Sequence, residues 1–155
     1  MRVWRICLRR FAFAAWTGEG AFRYGARWNS RGTRVVYTSE TLALAVLEFF
    51  VHLSPDAAPK DLLACSAEMP DSLIAPVPAP ALLPRADLAE YRRIGDSWLQ
   101  AGLSLALRVR SVVVPGEFNL LINPAHSDFN QFRPLDPEPF AFDPRMFAAR
   151  VPRVR

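Results

Sequence analysis

Residues 41–51 restrict the possible folds of this chain more than any other segment, because they are almost entirely apolar. A helix without a polar face is buried, so this segment predicts a helix that other elements must cover. Ser39 is predicted to be its N-cap, with Glu40 placed favourably against the helix dipole. The helix is expected to end near Leu53, before Ser54-Pro55. The apolar positions that follow the helical period are Leu42, Ala45, Val46, Phe49, Phe50 and Leu53.

Glu48 is the charged residue in the middle of this apolar segment. At roughly 100° per residue it lies about 140° from the centre of the apolar stripe, so its side chain should point away from that stripe, toward a second surface. A buried carboxylate without a partner costs several kcal/mol or becomes protonated. Two interpretations follow. Glu48 either pairs with an arginine or reaches solvent at an edge, or it projects into a cleft where a carboxylate takes part in chemistry.

The remaining pattern predicts more strands than helices. A second helix is predicted from Gly95 or Asp96 to Ala101, ended by Gly102, and residues 8–33 are expected to be irregular. Five prolines in residues 70–84 predict an extended crossover within a single domain. Short turns between strands favour an α+β fold with a mostly antiparallel sheet. The predicted strands are Val3–Cys7, Val35–Thr38, Leu62–Ser66, Ser104–Val109, Ser111–Val114, Asn119–Asn123 and Phe140–Phe142.

Composition excludes several classes of protein. With 51% hydrophobic residues the chain is too apolar for a disordered protein, and no apolar run reaches the ~18 residues that span a bilayer. Cys7 and Cys65 are too few for a disulfide framework or a zinc site, so buried thiols in a reducing compartment, the cytoplasm, are expected. His52 and His126 lack neighbours at metal-ligand spacing, and no metal site is predicted.

The basic charge of the chain is carried almost entirely by arginine. The net charge is +4, and Lys60 is the only lysine. The planar guanidinium of arginine suits bidentate contacts to phosphate and carboxylate, so a nucleotide, a nucleic acid or an acidic protein is a possible partner.

Three residues spaced by 10 and 11 combine an anion-binding, an aromatic and an acidic side chain: Arg27, Tyr37 and Glu48. Arg27 stands in a cluster with Gly25, Trp28 and Asn29 that offers a hinge, a stacking surface and an amide. Taken singly, each is as consistent with a structural role as with a functional one. The same holds for three later polar residues, which are either cleft groups or turn residues: Ser111, Asn119 and Asn123.

Together these motifs resemble the RES-domain toxins of bacterial toxin–antitoxin pairs, from Trp4 to about Arg145. One departure from the family pattern is Ala26, where a second glycine often precedes the arginine. If that position required a positive φ, alanine would cost about 1 kcal/mol. The matching motifs are Gly25-x-Arg27-Trp28-Asn29, Gly32-x-x-Val35-Val36-Tyr37-x-Ser39-Glu40, Ala43-x-Ala45-x-x-Glu48 and Ser111-Val112-Val113-Val114-Pro115-x-Glu117-x-Asn119-x-Leu121-x-Asn123-Pro124-x-His126.

The resemblance implies a fold similar to ADP-ribosyltransferases, with a split mixed sheet and an Arg–Tyr–Glu trio. It implies that NAD is a substrate, not a cofactor, cleaved at the nicotinamide–ribose bond, with ADP-ribose passing to water, phosphate or a protein. Glu48 would then stabilise the positive charge that develops on the ribose, Arg27 would hold the pyrophosphate, and Tyr37 would pack on the nicotinamide. Further residues expected to contact NAD are Arg5, Trp28, Asn29, Ser39, Ser111, Asn119 and Asn123.

The resemblance also implies a partner, an antitoxin with a helix-turn-helix domain that blocks the cleft. Direct contact with nucleic acid or with a membrane is not expected. The predicted organisation is a RES-like domain at residues 1–145, followed by a basic C-terminal tail at residues 146–155.

Two other functions are consistent with the sequence. The high pI, about 9.7, and the arginine content would also suit a nucleic-acid-binding or RNA-cleaving domain. Binding of that kind weakens steeply with salt, whereas NAD consumption should survive moderate salt. The other possibility is a non-catalytic module that binds NAD or a partner, in which Glu48 forms a salt bridge.

Overall fold

One mixed sheet forms the framework of the chain in the computed structural model, which describes residues 1–53, 59–76 and 87–147. Its strands are β1 (Arg2–Leu8), β2 (Val36–Ser39), β3 (Leu62–Glu68), β4 (Ile74–Ala75), β5 (Ala106–Arg110), β6 (Phe118–Ile122), β7 (Arg133–Pro134) and β8 (Glu138–Phe140). The described α-helices are α1 (Glu19–Tyr24), α2 (Leu42–Phe50) and α3 (Leu88–Ala101). Short 3₁₀ helices span Arg9–Ala14, Asp71–Leu73, Ser127–Gln131 and Pro144–Met146.

The strands lie in the order β4-β5-β6-β2-β1-β3-β7, and β8 pairs with β3 beside β7. Only β4 and β5 are parallel among the described pairs, and the others are antiparallel. This confirms the predicted α+β fold with a mostly antiparallel mixed sheet.

The sheet is split between β1 and β2. These two strands are joined at one position, Trp4 opposite Ser39. By contrast, β1 pairs with β3 over seven positions, from Arg2 to Leu8, and β2 pairs with β6 along its whole length. The two halves of the sheet therefore separate on leaving this bridge, and a cleft opens between them.

Each half of the sheet is covered by its own helix. Helix α2 packs on β1 and β3 through a cluster that contains Ile6 and Ala64, with Trp4 at its border. Tyr37 borders a second cluster, in which residues of α3 pack on β5 and β6. Residues paired across antiparallel strands point to the same side, and side chains alternate along a strand. Trp4, Ser39 and Tyr37 therefore share one face, so both helices lie on that face and flank the cleft.

Helix α2 begins later and ends earlier than the sequence predicts. Ser39 is the last residue of β2, and Thr41 is the N-cap, with its Oγ1 accepting a hydrogen bond from the Leu44 amide (3.1 Å). Ser39 cannot cap the helix because strand pairing with β6 extends through it. The prediction of burial all round is also wrong, because Leu47 is exposed to solvent and Val51, directly after the helix, is exposed too.

Two further helix predictions are corrected. Residues 8–33 are not irregular throughout, since they contain α1 and a 3₁₀ helix. Helix α3 begins at Leu88 with Asp87 as its N-cap, well before Gly95 and Asp96. The sequence prediction missed its first turns because Glu90, Arg92 and Arg93 interrupt the apolar pattern there. Its predicted end is confirmed, with Gly102 in the left-handed conformation.

The strand predicted at Ser111–Val114 is absent, because those residues form the loop between β5 and β6. The Ser111 hydroxyl accepts hydrogen bonds from the amides of Val113 and Val114 (3.0 Å each), which bends the chain away from the sheet. The last predicted strand lies two residues earlier, as β8.

The predicted crossover and tail fall partly outside the described residues. The start of the crossover is a 3₁₀ helix followed by β4, and residues 77–84 are not described. At the other end of the chain, Phe147 packs edge-on against Phe50 and Phe142, and residues 148–155 are not described.

Gly95 allows α3 to touch the backbone of the loop that precedes β2. A Cβ at this position would lie 1.8 Å from the carbonyl oxygen of Trp28. A residue with a side chain would therefore force the helix and this loop apart.

We expect Gly95→Ala to lower the free energy of unfolding by about 1–3 kcal/mol, because the colliding atom belongs to the backbone and cannot rotate away. Gly20→Ala is the matched control, since a Cβ at Gly20 in α1 meets nothing within 4 Å. That control should gain up to about 1 kcal/mol from helix propensity. Urea denaturation of both variants measures the difference, and equal stability of the two would contradict the packing described for α3.

Candidate active site

The cleft at the break in the sheet has a volume of about 680 Å³. That size is typical of sites for small molecules and cofactors. It is lined by residues of β1, β2, β5, β6 and α2, and by the loop before β2.

Most of the residues predicted from the sequence to form a site line this one cleft. They are Arg5, Arg27, Trp28, Tyr37, Ser39, Glu48 and Asn119. The three members of the predicted trio, Arg27, Tyr37 and Glu48, therefore share one cavity although they come from a loop, a strand and a helix. Asn29, Ser111 and Asn123 are buried and do not line it.

Glu48 is held by side chains from the opposite half of the sheet. Its Oε1 accepts hydrogen bonds from the Ser111 hydroxyl (2.7 Å) and from the Asn119 amide (2.5 Å). The orientation of the Asn119 amide is set in turn by Ser39, whose hydroxyl donates to Asn119 Oδ1 (2.7 Å). Three residues predicted as separate NAD contacts thus form one network that positions the carboxylate.

No ion pair to Glu48 lies within 4 Å among the residues that the structure describes. A neutral hydroxyl and a neutral amide instead stabilise the carboxylate without cancelling its charge. On the described residues, the geometry therefore favours the cleft interpretation of Glu48 over the salt-bridge interpretation.

The face of α2 that carries Glu48 toward the cleft also presents Ala45, Phe49 and His52. These positions follow the i, i+3, i+4, i+7 spacing of a single helix face. Ala45 and Phe49 also pack against β1 and β3, so the carboxylate borders the apolar core directly. A charge at such a border acts in a lower dielectric than one in water.

Arg27 lies at the opposite side of the cleft and is solvent-exposed. Its guanidinium stands over the ring of Tyr91, with Cζ 5.6 Å from the ring centroid. Within the described part of the chain it forms no ion pair. Its charge is therefore available to an anionic ligand.

Tyr37 presents its ring to the cleft, but its hydroxyl is committed to the loop. The hydroxyl accepts a hydrogen bond from the Trp28 amide (3.0 Å) and donates one to Asn29 Oδ1 (2.9 Å). Burial raises the pKa of Tyr37 well above its ordinary value, outweighing the opposing effect of the Trp28 amide. Tyr37 therefore stays protonated at physiological pH and offers an aromatic surface rather than an acid or base.

Asn29 organises the loop that carries Arg27. It is fully buried, and its Nδ2 donates to the carbonyls of Ala21, Ser30 and Thr33 at 2.9–3.1 Å. The positive φ angles in this loop belong to Gly25 and Gly32, not to Ala26, so alanine causes no backbone strain there. The departure at Ala26 is thus compatible with the loop geometry.

Arg5 reaches the cleft from β1 but is mostly enclosed. One terminal nitrogen donates to the carbonyl of Ala15, and Nε is buried without a partner. Burial lowers the pKa of this guanidinium. Nearby, the buried thiols of Cys7 and Cys65 lie 3.4 Å apart and are free, which confirms the prediction of buried cysteines.

Sequence reasoning missed two ionisable residues of the cleft, Arg110 and His52. Arg110 ends β5, and His52 follows α2, so both reach the cleft only through the packing of these elements. Asn123, in contrast, is a turn residue: its Oδ1 accepts from the Ala125 amide (3.0 Å) just beyond β6.

Two kinds of feature are not found in the described residues. No group of three or more His, Cys, Asp or Glu side chains could hold a metal ion there. In the same residues, no helix is both long and apolar enough to cross a membrane.

The fold is similar to that of a chain in a solved toxin–antitoxin complex. It superposes on a chain of the M. tuberculosis MbcT–MbcA toxin–antitoxin complex with a TM-score of 0.71, covering 94% of this chain and 86% of that one. The sequence identity is 15%, so this similarity concerns the fold.

The sequence comparisons identify the family. The RES domain model matches residues 2–143, and this chain belongs to the RES domain toxin family. It is 38% identical over 152 residues to the Toxin Res of Yersinia enterocolitica, covering 94% of this chain and 99% of that protein. It is 37% identical over 152 residues to the Prs ADP-ribosylating toxin of a Sphingobium species, covering 92% and 94%.

We expect Tyr37→Phe to lower the free energy of unfolding by about 1–3 kcal/mol, because it leaves the Trp28 amide and Asn29 Oδ1 without their partner. The pH dependence provides a second test. Because the folded pKa is raised, the stabilisation by Tyr37 is complete below the unfolded value of about 10 and is lost as pH rises above it. The Phe variant should therefore lose less stability than wild type between pH 9 and 11. Parallel losses measured by urea denaturation would contradict the buried hydroxyl.

Proposed function

We propose that this RES domain toxin is an enzyme that cleaves NAD at the nicotinamide–ribose bond in the cleft between α2 and α3. The observation that carries the proposal is the position of Glu48. Its carboxylate is bound by Ser111 and Asn119, has no cation within 4 Å among the described residues, and shares one cavity with Arg27.

The chemistry of NAD cleavage suits an uncompensated carboxylate. The bond between the ribose C1′ and the nicotinamide nitrogen breaks, and nicotinamide leaves as a neutral molecule with the electron pair. Positive charge develops on C1′ and the ring oxygen, and an acceptor then bonds to C1′ and loses its proton. A preorganised anion such as Glu48 stabilises that charge more in the transition state than in the ground state.

The remaining charges of the cleft suit a dinucleotide. Among the residues that the structure describes, Arg5, Arg27 and Arg110 line it together with one carboxylate, Glu48. Arg27 would bind the pyrophosphate through charge-assisted hydrogen bonds. The ring of Tyr37 would pack on the nicotinamide and restrict it to a reactive pose. Ser39, Ser111 and Asn119 act on Glu48, and Trp28 and Asn29 act on the Arg27 loop.

The comparisons support the finer parts of the proposal. One relative is named as an ADP-ribosylating toxin, and the acceptor proposed here is accordingly a protein, with water or phosphate as the alternatives. The solved neighbour comes from a toxin–antitoxin complex, so we also propose a cognate antitoxin with a helix-turn-helix domain that covers the cleft. Two free thiols at 3.4 Å suit a reducing cytoplasm.

A nucleic-acid partner finds less support in the charge distribution. Many arginines of the described chain are neutralised by carboxylates, for example Arg2 by Glu68 and Arg108 by Glu40. Arg108 also stands over the ring of Phe118. About half of the arginines in the described ranges are therefore paired with carboxylates within the fold.

Product analysis with a charge variant tests the activity. Purified protein is incubated with NAD, with and without phosphate and with cell lysate, and the products are identified by mass. We expect free nicotinamide from wild type and a loss of about 100-fold or more in Glu48→Gln. Glutamine keeps an oxygen for Ser111 and Asn119 but carries no charge, so the fold should be retained. Wild-type turnover by this variant would refute the role of Glu48.

Arg27→Ala tests substrate binding separately from chemistry. We expect its affinity for NAD to fall about 10- to 100-fold, the equivalent of the charge-assisted hydrogen bonds to the phosphates. Arg93→Ala is the matched control, because Arg93 is an exposed arginine of α3 paired with Glu90, away from the cleft. Calorimetry with NAD and the inactive Glu48→Gln background gives both values. Equal affinities would remove Arg27 from the phosphate site.

A further inference from the structure

Helix α3 contacts the Arg27 loop at alternate residues on either side of Arg27. The Arg92 Nε donates to the carbonyl of Ala26 (3.0 Å). The Gly95 backbone lies against the carbonyl of Trp28. These two contacts flank Arg27 directly in the sequence.

A third contact closes the end of the loop. The Asp96 carboxylate accepts two hydrogen bonds from Ser30, one from its amide (3.0 Å) and one from its hydroxyl (2.7 Å). One residue thus uses both carboxylate oxygens to hold a single loop residue.

The contacting residues of α3 and those of the loop have matching spacings. Arg92, Gly95 and Asp96 stand at i, i+3 and i+4 and therefore share one face of α3. The loop meets this face with the alternate residues Ala26, Trp28 and Ser30. Arg27, which stands between the first two of these contacts, lines the cleft.

The same helix supports the Arg27 side chain. The ring of Tyr91 lies 5.6 Å from the guanidinium carbon of Arg27 and 4.7 Å from the ring centroid of Trp28. Helix α3 therefore contacts both the backbone of the loop and the side chain of Arg27.

We propose that Arg92 and Asp96 are positioning residues that hold the loop at residues 26–30 against α3, so that Arg27 faces the cleft. The importance of this position for NAD rests on the function proposed above. The positioning itself depends only on the contacts between α3 and the loop. Neither Arg92 nor Asp96 lines the cleft, so both act through Arg27.

Loss of either contact should affect substrate binding more than chemistry. Asn29 and Tyr37 still hold the inner side of the loop, so the fold should persist. Freed from α3, the loop samples positions in which Arg27 no longer meets the substrate. The expected result is a raised KM with a nearly unchanged kcat.

The kinetic experiment compares Asp96→Ala and Arg92→Gln with two controls on the exposed side of the same helix, Glu90→Ala and Arg93→Ala. We expect KM for NAD to rise about 10-fold in Asp96→Ala and less in Arg92→Gln, with kcat within about twofold of wild type and both controls unchanged. In the Arg27→Ala background, Asp96→Ala should add little further effect. An additional effect of full size there, or a fall in kcat alone, would overturn the positioning role.

A readout without substrate separates this inference from the proposed function. Amide hydrogen exchange of residues 26–31 in the unliganded protein should be faster in Asp96→Ala than in Glu90→Ala, while exchange in β1 and β3 stays unchanged. Faster loop exchange in a protein that does not consume NAD would reject the activity and retain the positioning. Equal exchange in the two variants would reject the positioning, whatever the activity.

Discussion

The one-residue connection between β1 and β2 determines where this molecule can bind a ligand. Elsewhere in the described sheet core, strand pairing satisfies backbone groups continuously, as along β1 and β3. Next to the bridge between Trp4 and Ser39 this pairing stops, and side chains from both halves of the sheet face the resulting space. Helices α2 and α3 cover one half each, so neither fills the gap. The cleft is therefore a consequence of the sheet topology and not of a flexible loop.

The polar groups at the cleft are supported from behind rather than left to solvent. Glu48 is fixed by Ser111 and Asn119, and Tyr37 by Trp28 and Asn29. Side chains fixed in this way lose little entropy when a ligand binds, and the Glu48 carboxylate acts at the border of an apolar core, where electrostatic interactions are stronger. Several polar residues that the sequence predicts to contact a ligand thus orient the few side chains that face the cleft.

The sequence singled out Glu48 and Arg27 by their local settings, and the resemblance to the RES-domain toxins joined them with Tyr37 into a trio. Glu48 interrupts an apolar helix, and Arg27 follows a glycine hinge. Sequence reasoning failed for Ser39, a good N-cap by residue type, because strand pairing with β6 competes for that position and Thr41 is available two residues later. It also misplaced the start of α3, because polar residues interrupt the apolar helical period there and Gly95 is of a type that often marks a helix end. Arg110 and His52 carried no local signal.

The sequence by itself determined which elements the fold contains and which side chains could serve a cleft. It predicts an α+β chain, an apolar helix with one acidic residue, and a loop with an arginine before a short strand. These properties depend on residue type and spacing over a few turns or strands. The tertiary structure decided which groups meet. Asn119 and Ser111 reach Glu48 from about 70 and 60 residues away, and Asp96 reaches Ser30 across a similar span. Such contacts follow from strand order and helix packing, which a local pattern cannot specify because it contains no information about distant partners.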